Sequence, residues 1–90
     1  PILDLRQISK SSNQFKYRIF NTGATIYNVK TGNFLLDNEL VKGKFTEFST
    51  DKIIENLVLT YTDALNELES IGFVLNKDTN QYEITEVIEY

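Results

Sequence analysis

The chain has 90 residues, 41% hydrophobic and 24% charged, with no histidine or cysteine and a formal net charge of -4. A single domain of this size buries only about 60 to 65% of its unfolded surface, so the core is small, and the balanced composition excludes global disorder. Lacking imidazole and thiol, the chain has no access to the commonest general base, the thiolate nucleophile or the usual transition-metal ligands.

No apolar run approaches the ~20 residues of a membrane span, and the N-terminus lacks a charged start followed by an apolar stretch. The chain therefore reads as one soluble domain, residues 1–90. Its charge is polarised: residues 1–44 hold seven bases against three acids, and residues 45–90 hold two bases against ten acids. Complementary patches of that kind orient a partner or a second copy, although differently solvated faces of strand and helix would leave the same pattern.

Taken in order, residues 2–8 set Leu3 and Leu5 against Asp4 and Arg6, the alternation of a half-buried strand. The polar stretch 9–14 reads as a loop. Residues 15–20 and 24–30 form a hairpin around Asn21-Thr22-Gly23, with glycine free to close the turn. With Phe20 facing Ala24, the register places Phe15, Tyr17, Ile19, Thr25, Tyr27 and Val29 toward the core. Lys16, Arg18, Phe20, Ala24, Ile26 and Asn28 fall on the other face, which an antiparallel sheet can show to water. A second turn at residues 30–33 leads into Phe34, Leu35 and Leu36, bends follow at Asp37-Asn38 and Lys42-Gly43-Lys44, and residues 45–48 make a short strand.

Residues 50–71 carry the one sustained helical period, with Ile54, Leu57, Val58, Tyr61, Leu65, Leu68 and Ile71 three or four apart. Ser49 as N-cap, Phe48 against Ile53 as a staple and Gly72 as a left-handed stop specify its ends. Val58, Thr60 and Thr62 are β-branched, so a break near Thr60 is the alternative. Residues 73–76 and 81–90 close the chain as a hairpin around residues 77–80, pairing Leu75 with Tyr82 and Phe73 with Ile84. Glu86 then falls on the apolar face unless the strand bulges or projects into water. The expected fold class is α+β: an antiparallel β-meander with one helix packed on one face and a C-terminal β-hairpin.

Candidate chemistry is sparse. The carboxylate pairs Asp37 and Glu39, Glu67 and Glu69, and Glu83 and Glu86 read as solvated surface, with no signal of the burial that raises a carboxyl pKa. Asp78-Thr79-Asn80 lacks the spacing of a calcium loop, and the isolated glycines form no phosphate-binding loop. Lys42 to Phe48 only faintly echoes an RNA-binding strand, and the tyrosines fall mostly on core faces. The chain is therefore expected to be non-catalytic, with no metal or cofactor.

The stretch Thr60 to Phe73, TYTDALNELESIGF, resembles the polar-capped short helix ending in Gly-Phe of small structural proteins of tailed-bacteriophage virions. That resemblance implies assembly and a cytoplasmic or virion-associated place. The function expected is a protein-protein interaction or assembly module that self-associates, its partner-binding face made of Lys16, Arg18, Phe20 and Ile26, docking on the acidic C-terminal half of a neighbour. One alternative is a regulator or inhibitor that binds nucleic acid or a nucleic-acid enzyme through the same basic face, disfavoured by the acidic net charge. A small ligand-binding domain is the other.

Overall fold

The computed structural model describes residues 2–90, and among them there is no helix. Eight strands run β1 (Leu3–Lys10), β2 (Phe15–Asn21), β3 (Ile26–Thr31), β4 (Phe34–Leu40), β5 (Phe45–Thr50), β6 (Asn56–Thr62), β7 (Leu68–Asn76) and β8 (Gln81–Glu89). They form two antiparallel sheets, of order β1-β2-β5 and β4-β3-β6-β7-β8, which enclose one core. The α+β class is thus replaced by an all-β sandwich. The C-terminal hairpin stands, and the rest of the supposed helix is strand and turn.

The correction has a local cause. From Leu57 to Tyr61 the chain alternates strictly, with Leu57, Leu59 and Tyr61 buried and Val58 exposed between them. A helix would bring Leu57, Val58 and Tyr61 onto one stripe and strand Leu59 on its far side. A strand buries all three odd-numbered residues, and its β-branched members suit the pleat. Asp63 does cap a turn, but only one: its Oδ1 accepts the N–H of Leu65 (2.9 Å) and of Glu67 (3.0 Å), and Asn66 takes φ 61° to turn the chain into β7. The short helix on which the virion resemblance rested is therefore absent.

The hairpin expected from residues 15–30 is also absent, because β2 and β3 belong to different sheets. Asn21 marks the crossing. Its buried side chain donates to the carbonyls of Ala24 and Leu40 (both 2.9 Å) and accepts the N–H of Gly23 (2.9 Å), so a polar group with no exposed surface is fully partnered. The crossing resets which residues face inward. Ile26 becomes buried, and a bulge against β6 at Asn28, which takes φ 52°, turns Val29 inward as well.

The inward set otherwise follows alternation: Leu3 and Leu5 from β1, Tyr17 and Ile19 from β2, Ile71 and Phe73 from β7. Each such side chain contributes roughly 1.5 to 3 kcal/mol by leaving water. Tyr17 ties the layers together. Its ring stacks on Phe48 at 5.6 Å and meets Tyr82 edge-on at 5.8 Å, while its hydroxyl accepts the N–H of Ile54 (2.8 Å). At the closing hairpin the pairing of Leu75 with Tyr82 and of Phe73 with Ile84 is as the sequence predicts. The register then shifts at Thr85, so Glu86 pairs with Gly72 on the outer face and Val87 points toward the core side. The bulge resolves the conflict over Glu86.

Candidate functional site

Lys16, Arg18 and Phe20 alternate with buried Tyr17, Ile19 and Asn21, so all three project from the outer face of the three-stranded sheet. Ile26 does not join them. It lies in the core, for the reason just given, and leaves the candidate face.

The cations on that face are already engaged. Arg18 donates through Nε (2.9 Å) and Nη2 (2.6 Å) to Glu47 Oε2 on β5, and its guanidinium lies 4.0 Å from the centre of the Phe45 ring. Lys16 Nζ lies 3.4 Å from Glu47 Oε1. The hydrogen bonds from Arg18, joined by Lys16, hold the Glu47 carboxyl below its ordinary range. On β1, Arg6 Nε donates to Asp4 Oδ2 at 2.7 Å. Carboxylates therefore neutralise much of the basic face, and a phosphate backbone would have to compete with Glu47 for Arg18.

The opposite surface has a different character. The outer face of the five-stranded sheet is built from cross-strand rows fixed by register: Tyr27, Thr62 and Leu68; Lys30, Thr60, Ser70 and Ile88; Val58, Gly72 and Glu86. Val58 is 55% exposed, Leu68 46% and Tyr90, whose N–H bonds to the Leu68 carbonyl, 72%. All the strands lie in the two sheets, so no described element covers this face. Ser70 and Gly72 are buried between their taller neighbours, which makes β7 a shallow furrow between the side chains of β6 and β8.

No family model, curated protein or solved structure matches this chain.

Two other features bear on chemistry. Between the free edges of β4 and β5 the sandwich opens into a cleft of about 630 Å³, lined by Phe34, Leu36, Phe48, Ile54 and Leu57 among others. Its lining is largely apolar, with Glu47 at the rim already paired to Arg18. At the far end of the sandwich Glu69 is buried, against the surface reading of the Glu67 and Glu69 pair. Burial and the neighbouring Asp63 raise its carboxyl pKa, and burial with the Glu69 charge pushes the Tyr61 hydroxyl up to about 12. The Tyr61 hydroxyl is buried with no hydrogen-bond partner among the described residues. Among the described residues no group of three or more acidic side chains is placed to hold a metal ion. Asp37 and Glu39 lie along the β4 edge.

The sequence places Lys16, Arg18 and Phe20 on an outward face, as the structure does, but it does not bring Val58, Thr60, Leu68, Ile88 and Tyr90 together on one. The signal was present in Leu57 to Thr62, where apolar and β-branched residues occupy both parities of one strand. A strand apolar on both faces is either covered on both sides or offers one side to a partner.

Proposed function

We propose that this protein is a non-catalytic protein-interaction module that works in assembly, and that its docking surface is the outer face of the five-stranded sheet. The supporting observation is the exposure of Val58, Leu68, Ile88 and Tyr90 on one uncovered sheet face, flanked by the threonines of β6. Contiguous apolar patches of this kind on a rigid scaffold mark interaction surfaces. The basic face of Lys16 and Arg18 is a weaker candidate because Glu47 occupies its guanidinium.

The test compares wild type with Val58→Arg, a substitution at an exposed strand position that leaves the core untouched. Light scattering after size exclusion, together with affinity capture and stoichiometry by mass spectrometry, should show a complex with itself or with one defined protein. That complex should be lost in the variant while its circular dichroism is unchanged. A wild type with neither self-association nor a stoichiometric partner, or a partner indifferent to Val58→Arg, overturns the reading.

A further inference from the structure

Resting on the reading above, we propose that the partner on this face is a second copy of the chain, packed about a two-fold axis that runs along the strands between β6 and β7.

The strand order carries the argument. In β4-β3-β6-β7-β8 the pair β3 and β8 flanks the pair β6 and β7 symmetrically. When two such sheets stack face to face at about 10 Å, an axis parallel to the strands and centred between β6 and β7 lays β6 of each copy over β7 of the other, and β3 over β8. The relief of the face suits this overlay. Val58 and Thr60 stand up from β6 in the rows of the buried Gly72 and Ser70 of β7, so over these two rows each copy's ridge meets the other's furrow.

Charge selects the same axis. Lys30 is the cation of this face, on β3 in the row of Thr60, Ser70 and Ile88. Under the overlay it stands above Ile88 of the second copy, two residues along β8 from Glu86, within reach of a lysine side chain. Neither Lys30 nor Glu86 forms an ion pair within the chain among the described residues. An axis perpendicular to the strands would instead set β3 on β3 and bring the two Lys30 side chains together, which like charges oppose. The contact is reciprocal, so two Lys30–Glu86 pairs form and the assembly closes at the dimer.

The available area is small. The overlay pairs four strands, β3, β6, β7 and β8, and leaves β4 outside it; at a spacing of about 4.8 Å they span about 19 Å, and seven residues of strand give about 23 Å in the other direction. That is a footprint of about 440 Å² per copy, or about 880 Å² in total, in the range of weak, transient interfaces. A weak, concentration-dependent dimer is expected.

Sedimentation equilibrium from about 1 μM to about 1 mM tests the proposal. Wild type should pass from monomer to dimer across that range and no further. Thr60→Arg, at the centre of the face, should shift the midpoint at least tenfold upward. Lys30→Glu and Glu86→Lys should each weaken association about tenfold, and the K30E/E86K double variant should return to within about threefold of wild type. Thermal melts of each variant exclude misfolding as the cause. A wild type that stays monomeric at about 1 mM overturns the dimer. If a different protein binds that face instead, the interaction reading stands without it. A dimer indifferent to Thr60→Arg, or single charge variants that the double variant fails to rescue, overturns the two-fold packing.

Discussion

Glu69 illustrates how one side chain can work against the fold that holds it. It points into the end of the core opposite Tyr61 on β6, buried and beside Asp63, whose own carboxyl is held below its ordinary range by the backbone N–H groups of Glu67 and Leu65. Asp63 therefore stays charged, and the second charge in the pair falls on the buried partner. The Glu69 carboxyl binds its proton more tightly in the folded chain than the ordinary 4.5 of the unfolded one. As pH rises through 4.5 the unfolded state releases this proton first, so the contribution of Glu69 to stability falls until the folded carboxyl ionises, and then stays constant. Glu69→Gln removes that dependence and lets an amide N–H face the Asp63 carboxylate. Chemical denaturation should find the variant more stable than wild type at pH 7 and equal to it below about pH 4. Equal stability at pH 7 would show that Glu69 carries no penalty.

The strands β7 and β8 show how an element is specified by a residue that it cannot do without. Gly72 sits in the middle of β7 opposite the bulge of β8, and a Cβ built there would lie 2.6 Å from Thr85 Oγ1. Its backbone is ordinary strand, so alanine is excluded only by the hydroxyl across the sheet. Gly72→Ala should cost about 1 to 2 kcal/mol in urea unfolding, as overpacking does. In a Thr85→Ala background the same change should cost less or stabilise, since alanine is stiffer than glycine in the unfolded chain. Additive costs would mean that the two residues do not collide. The same glycine explains part of what the sequence concealed. After a run of apolar residues at helical spacing, Gly72 reads as a helix stop, and Asp63 reads as a helix start, because both signals are local and each is real at the scale of one turn. What decides between helix and strand is which side chains find a covered face, a matter of partners distant in sequence, on β1 and β2 as well as on β7. Legible elements were those set by local chemistry: the alternation of β1 and β2, the turn at residues 30–33, and the C-terminal hairpin with its register. Ile26 could not be placed from the sequence, because its inward face depends on Asn21 carrying the chain from one sheet to the other. Of the candidate site, the outward set of Lys16, Arg18 and Phe20 was legible, but its neutralisation by Glu47 was not, since β2 and β5 are neighbours only once the sandwich forms.

At the scale of the whole molecule, the charge split between the two halves of the sequence becomes a split between sheets. The strands of the three-stranded sheet carry four cations and two anions, those of the five-stranded sheet one cation and six anions. The two edges of the larger sheet are β4, with Asp37 and Glu39, and β8, with Glu83, Glu86 and Glu89. Any edge-to-edge addition of one such sheet to another must place acid on acid, whether β4 meets β8 or either meets its own kind. Repulsion of that form is how exposed edges are kept from open-ended pairing, and it confines association to the face. Static light scattering of the wild type should therefore stay at or below the dimer at pH 7. Glu47 and Glu55, held below their ordinary range by Arg18 and by Lys77, stabilise the fold through those ion pairs, so unfolding must be separated from edge pairing. The variant D37N/E39Q/E83Q/E89Q makes the separation. It leaves Lys30, Glu86 and the ion pairs of Glu47 and Glu55 intact, and it should form species larger than the dimer at pH 7 with its thermal melt still cooperative. If it remains no larger than wild type, the acidic edges are not what limits assembly.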